Sequence, residues 1–214
     1  MPSTARPDLR PARRALLALA AALAGVLALA ACLPSTGVPA PTSGPSSAAG
    51  ASADPGGLFA DHGLEGLGPR QIIDRLDALP VDERPTGLLA SVRPDVLVLS
   101  DADRELALPM PEEFYVSIAP YRSQTHDCVF HSLTTCLGEL PNEEFRVVAV
   151  DAATGETVLD DVRTSFDNGF IGLWLPRGAQ IEVRIEDAAG GASTATVDTS
   201  ALDAASCVTT MRLG

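Results

Sequence analysis

The sequence contains no lysine: all 15 of its basic residues are Arg, set against 28 acidic residues, for a net charge of −13. A phosphate backbone holds proteins mainly through clustered Lys and Arg that displace its counterions, so this charge balance excludes nucleic-acid binding. Motifs for common enzyme chemistry are missing too. The sequence has no G-x-S-x-G nucleophile elbow, P-loop, H-E-x-x-H pair or EF-hand loop, which removes the usual hydrolase, nucleotide and calcium readings. The paired acids Glu112-Glu113 and Glu143-Glu144 flank strand patterns and read as solvated turn faces. Histidine and cysteine are sparse, at three and four residues.

What is present begins with a targeting pattern over residues 1–31. Arg6, Arg10, Arg13 and Arg14 precede an unbroken apolar or small stretch from Ala15 to Ala31, a basic n-region followed by a hydrophobic one. It closes in Leu29-Ala30-Ala31-Cys32, which resembles a bacterial lipobox whose Cys32 takes the lipid and becomes the first mature residue. An uncleaved anchor helix is the alternative. Both place the remaining chain outside the cytoplasmic membrane, and the lipoprotein reading anchors it to that membrane's outer face. Without residues 1–31 the chain keeps 11 Arg against 27 acidic residues, a net of −16. With Cys32 lipidated, Cys128, Cys136 and Cys207 remain. In an oxidising compartment an odd count leaves one thiol free, paired between two chains of a homodimer, or engaged in chemistry.

Residues 32–57 are built almost wholly from Pro, Ser, Gly, Ala and Thr after the lipobox, too little apolar surface to offset chain entropy, and read as a disordered tether. Residues 58–108 form a small N-terminal α/β unit. In it Ile72, Ile73, Leu76 and Leu79 recur at helical spacing behind Pro69, and Val96 to Leu99 is an apolar run. Residues 109–214 change texture to short alternating runs: Phe114–Ile118, Phe145–Val150, Gly169–Leu175, Gln180–Ile185, Ala192–Val197 and Cys207–Leu213, with turn residues at Gly155, Asn168-Gly169 and Gly178. The fold class is therefore mainly β, a small helical N-terminal unit followed by a β-sandwich-like C-terminal domain. The stretch from Val147 to Ile185 is similar to small sandwich modules of the prealbumin or carboxypeptidase-regulatory type, a likeness of architecture that implies no activity. Trp174, the only Trp, reads as core.

Chemistry concentrates in Thr125–Cys136, where His126, Cys128, His131 and Cys136 give H-x-C-x2-H-x4-C. Along one strand the two cysteines would stand roughly 26 Å apart, and along one helix roughly 12 Å, so they act together only if the segment folds back. Three uses compete. A Cys128–Cys136 disulfide would close a small loop. A zinc site would use thiolates and imidazoles, although zinc pairs are usually closer in sequence. A soft-metal site would hold Cu(I) by thiolates, with Cys207 as the third sulfur and imidazole better suited to Cu(II). Met211, roughly 13 Å along the strand from Cys207, stays outside such a shell.

Five segments in order carry a more specific signal: FYVSIAPY (114–121), THDC…HSLTTC (125–136), GELPNEEFRVVAVDAATGE (138–156), NGFIGLWLPR (168–177) and C-x-T-T-M-R-L (207–213). With the Asp82-Glu83-Arg84-Pro85 turn, they resemble the CueP family of exported copper-binding proteins. The resemblance implies that Cys128, Cys136 and Cys207 form the copper site. It also implies a role in copper tolerance, transfer of copper to a Cu,Zn superoxide dismutase, and reduction of Cu(II). On this reading three thiolates converge on one Cu(I), and His126 or His131 serves at the edge, His126 being favoured by its distance of two residues from Cys128. A redox cycle at Cys128 and Cys136 would need an external thiol reductant to reset it. The competing class is an exported β-sandwich interaction module with a structural Cys128–Cys136 disulfide and no metal.

Overall fold

A computed structural model of the protein describes residues 55–214. The predicted signal segment, Cys32 with its lipid, and the tether up to residue 54 lie outside the described residues. No helix among them is long and apolar enough to cross a membrane.

Helix α1 (Pro55–Asp61) begins inside the stretch read as tether, with Leu58 fully buried as its anchor. Helix α2 (Pro69–Asp77) follows the predicted pattern, with Pro69 at its first position and Gly68 N–H donating to Gln71 Oε1 at 2.9 Å. Its buried face consists of Ile72, Ile73, Leu76 and, unexpectedly for a charged residue, Asp77. A 3-10 turn at Val81–Glu83 leads to an antiparallel meander of β1 (Leu89–Val92), β2 (Val96–Ser100) and β3 (Glu105–Pro109). Leu58, Ile72, Ile73 and Leu76 from the helices pack with Ala90, Leu97 and Leu99 from the meander in one apolar core.

The remaining strands make two sheets. One joins β4 (Phe114–Ile118), β7 (Ile171–Leu175) and β10 (Cys207–Val208) in the order β10-β4-β7. The other joins β5 (Glu144–Asp151), β6 (Thr157–Thr164), β8 (Gln180–Asp187) and β9 (Ala192–Asp198) in the order β6-β5-β8-β9. Phe114, Val116, Ile118, Leu173 and Leu175 from the first meet Phe145, Val147, Ile181, Val183 and Ile185 from the second, giving the mainly β, sandwich-like half the sequence implied. Strand β6 has no counterpart in the sequence reading. Its TVLDDVRT run is exposed over most of its length, and such charged residues mark a solvent-facing edge strand. Strand β10 is shorter than the predicted Cys207–Leu213 run, because only two residues pair with β4. Met211 and Leu213 are buried in the sandwich core all the same.

Strand β4 is buried at all five positions, and its two faces do different work. Phe114, Val116 and Ile118 face the sandwich core, while Tyr115 and Ser117 reach Asp77 at the end of α2. Trp174 stacks on Tyr115 with ring centroids 4.7 Å apart, lies under the Arg70 guanidinium, and donates from Nε1 to Asp74 at 2.7 Å. It is a packing residue between sheet and helix.

Gly138 and Gly169 bring two loops into backbone contact. Gly138 N–H donates to Asn168 O at 2.6 Å, and a Cβ on Gly169 would stand 2.7 Å from the Gly138 carbonyl carbon. Gly169 also has φ +78°, a conformation that disfavours any side chain. Gly169→Ala is therefore expected to destabilise the protein by at least about 2 kcal/mol. A urea midpoint unchanged from wild type would contradict the close approach.

Candidate metal centre

The segment from Pro120 to Gly138 has no regular secondary structure beyond turns and bridges, so its shape comes from what it is tied to. His131 O accepts from Val92 N and Leu133 N donates to Ala90 O, both at 2.8 Å, pinning the segment to the edge of β1. Thr125 Oγ1 donates to Thr209 O at 2.7 Å, and Cys207 N donates to Val129 O at 3.1 Å, pinning it to the β10 region. A tight turn returns the chain at Ser132–Cys136, where Cys136 N donates to Ser132 O at 3.1 Å and Ser132 N to Cys136 Sγ at 3.4 Å. The predicted folding-back of the two cysteines is thus present.

The sulfur pairing corrects the sequence reading. The disulfide joins Cys128 to Cys207, 79 residues apart, and Cys136 is the free cysteine. The cause is tertiary: parallel pairing of β10 with β4 sets Cys207 opposite Ser117, and the Val129 carbonyl holds Cys207 next to Cys128. A pairing set by strands so distant leaves no mark in local spacing. Cys136 Sγ lies 3.7 Å from Cys128 Sγ and within 4.8 Å of Cys207 Sγ. In a row along the disulfide axis, Cys136 would stand about 5.8 Å from Cys207, so the three sulfurs form a triangle.

Both candidate histidines belong to this cluster. A His126 ring nitrogen lies within 4.8 Å of Cys128 and Cys136 Sγ, on the exposed side. A His131 ring nitrogen lies within 4.8 Å of Cys136 and Cys207 Sγ, on the buried side, with Nδ1 at 3.9 Å from Cys207 Sγ. The two-residue spacing that favoured His126 does not set it apart from His131, because the segment is a loop and both rings reach the sulfurs. Phe170 floors the cluster: it is fully buried, packs with Ala119 and the three cysteines, and sits 4.5 Å from the His131 ring and 6.3 Å from His126.

Behind His131 stands a network that sequence reasoning missed. Asp77 is completely buried and accepts from Tyr115 Oη at 2.5 Å, Ser117 Oγ at 2.9 Å and Asn168 Nδ2 at 2.8 Å, while His131 Nε2 lies 2.8 Å from its Oδ1. A buried carboxylate survives as an ion only with partners of this kind. Burial pushes its pKa up, but the His131 charge and these hydrogen bonds outweigh burial and hold it below the usual value. Burial likewise pulls His131 down, yet Asp77 and then Cys136 raise it to about 9. Cys136 is pushed up by burial and pulled down further by the hydrogen bond and charge of His131. Asp77, His131 and Cys136 are accordingly coupled in a chain in which the Asp77 carboxylate favours the protonated imidazole and the imidazole in turn favours the Cys136 thiolate. With Nε2 held by Asp77 and Nδ1 turned toward the sulfurs, a metal bound here would find Nδ1 available in the carboxylate–His arrangement that orients metal ligands. Arg84 Nη1 donates to Cys136 O at 2.9 Å and places a second cation beside the thiol.

A lone Asp one turn after Ile73 on an apolar helix face was the available sign of Asp77. Phe170, Asn168 and Arg84 gave none, lying in a turn or an apolar run.

Residues 71–212 match the family described as "Periplasmic copper-binding protein CueP". Among solved structures, the crystal structure of S.CueP is 35% identical, with a TM-score of 0.71 over 76% of this chain and 99% of that one. No curated relative matches the chain.

Proposed function

Because the chain belongs to the CueP family of periplasmic copper-binding proteins, we propose that its reduced form binds one Cu(I) through the thiolates of Cys128, Cys136 and Cys207. The observation that carries this reading is the sulfur triangle, with Cys136 Sγ 3.7 Å from Cys128 and within reach of Cys207. Cu(I) favours two or three soft sulfur donors, and the Phe170 floor keeps water from one side. His131 stands at the buried edge and His126 at the mouth, where an incoming or departing ion passes.

The Cys128–Cys207 disulfide is the spent form of this site. Two thiolates that give one electron each to two Cu(II) ions become a disulfide and leave two Cu(I). A thiol reductant must then supply two electrons to reopen the bond. In this reading the protein supports copper tolerance by holding Cu(I) for an exported copper-accepting protein, of which a Cu,Zn superoxide dismutase is one candidate. Lipidation at Cys32 would hold it on the outer face of the cytoplasmic membrane. Residues 109–214 supply every proposed ligand, and residues 58–108 supply the Asp77 support. Cys136, Cys207 and His131, whose ligand atoms lie within 4.8 Å of one another, are donors of the kind zinc accepts, so zinc is the competing occupant.

The test is a chelator competition on one preparation, before and after reduction. Reduced protein should bind one Cu(I) at least about 100-fold more tightly than disulfide-bonded protein, since two of three thiolates are lost on oxidation. Equal affinity in both states, or a stronger preference of the reduced form for Zn(II) over Cu(I), would refute the proposal. A disulfide that resists reduction in the folded protein would favour the module without metal.

A further inference from the structure

We infer that the hollow between residues 81–89 and 134–137 binds a small carboxylic acid with an apolar body, its carboxylate held by the free edge of the Arg84 guanidinium. This site is separate from the copper reading and does not rest on it. The hollow has a volume of about 730 Å³, inside the range of roughly 300–1,000 Å³ typical of small-ligand sites. Val81, Pro85, Leu88, Leu89 and Leu137 make its walls apolar. Val81, Leu89 and Leu137 are three of the six large hydrophobic side chains exposed among the described residues, so the apolar surface left to solvent gathers at this place.

Three buried side-chain polar atoms among the described residues have no hydrogen-bond partner: Arg84 Nε, Arg84 Nη2 and Thr134 Oγ1. Both residues border the hollow. A buried donor left unmatched costs stability, and the gathering of all three at one hollow points to a partner from outside the chain. Geometry sets its chemistry. Arg84 Nη1 already donates to Cys136 O at 2.9 Å, which leaves Nε and Nη2, the side of the planar fork that grips a carboxylate through two parallel bonds. The chain's own carboxylates nearby are engaged elsewhere. Asp77 and Asp167 act on Arg84 by charge without a hydrogen bond to it. Asp77 accepts from Tyr115, Ser117 and Asn168, and Asp167 accepts from Val81 N–H and Asn142 Nδ2. Asp101, an acid on the hollow's border, accepts from Arg104 Nη2 at 2.5 Å. A ligand must therefore bring its own carboxylate, to which Thr134 Oγ1 can donate a further bond. The edge is covered from bulk water, so contact takes a side-chain rotation of the kind that accompanies binding. Apolar walls around the pair strengthen its hydrogen bonds.

The probe is octanoate, titrated into isotope-labelled protein and followed by backbone amide chemical shifts. Saturable shifts are expected at residues 84–89 and 134–137, with a dissociation constant of about 1 mM or tighter. Octanol, which has the same body without the charge, should bind at least about tenfold more weakly, because it cannot satisfy the fork. Arg84→Lys keeps the positive charge but loses the two-bond edge, and should weaken octanoate at least about tenfold. Leu89→Ser alters the apolar wall alone, at an exposed position whose backbone pairs with Ser100, and keeps the test open should Arg84→Lys fail to fold. It should weaken octanoate at least about threefold. Shifts absent from these residues, octanol binding as tightly as octanoate, or either folded variant with wild-type affinity would overturn the inference. A peptide ending in a free leucine carboxylate is titrated in parallel. Binding of that peptide more than about tenfold tighter than octanoate would also overturn it, since the site would then select chain ends over a small acid.

Discussion

Cys136→Ser is expected to lower the Cu(I) affinity of the reduced protein by at least about 100-fold, more than the 10–100-fold typical of losing a group behind the ligands. Cys136 is the sulfur shared by the exposed and buried donor groups, so its loss takes one corner from the triangle and leaves two thiolates that oxidise to the disulfide already present. The fold should be undisturbed: Cys136 is half-buried, and its backbone N–H and carbonyl keep their bonds to Ser132 and Arg84. A Cu(I) competition titration checks this. An affinity within tenfold of wild type would place the ion away from Cys136.

Asp77→Asn is expected to cost stability, about 3–5 kcal/mol, because it removes the counter-charge of the buried His131 imidazolium. For a folded region of this size that is a fall in melting temperature of roughly 10 °C. The loss should depend on pH. His131 is raised above its ordinary value of 6.5, so its pairing stabilises the fold fully below about pH 6.5 and fades as pH climbs through the folded pKa. Asp77, held below its ordinary value, contributes above about pH 4 and loses that contribution as pH falls. The depressed Cys136 thiol acts in the opposite sense to His131, gaining stability as pH rises. The comparison therefore belongs in a Cys136→Ser background. There, urea unfolding should show stability declining above about pH 6.5, and adding Asp77→Asn should flatten that decline. Identical pH profiles with and without the Asp77 substitution would mean the pair is not charged.

The contrast between Asp77 and the cysteines shows how far the sequence could be read. The run Gln180–Ile185 lies in strand β8 (Gln180–Asp187) as its alternation predicts, because a half-buried sheet imposes a period of two on the residues themselves. Thr157–Thr164 was invisible because an exposed edge strand needs no apolar face. The H-x-C-x2-H-x4-C run located the centre to within a dozen residues. Its wiring was beyond reach: the partner of Cys128 is chosen by a parallel strand pairing 79 residues away, and His131 is buried because Leu133 and Val92 sew its loop to β1. The helix pattern around Asp77 names none of its partners. Only the fold places Tyr115, Ser117, Asn168 and His131 around it.

The central claim is that the three sulfurs hold one Cu(I) together, and copper X-ray absorption on anaerobically reduced protein loaded with one equivalent of Cu(I) addresses it most directly. The account predicts a first shell of three sulfurs, reduced to two in Cys136→Ser. A shell of one sulfur with nitrogen or oxygen neighbours, or a wild-type spectrum that Cys136→Ser leaves unchanged, would contradict it.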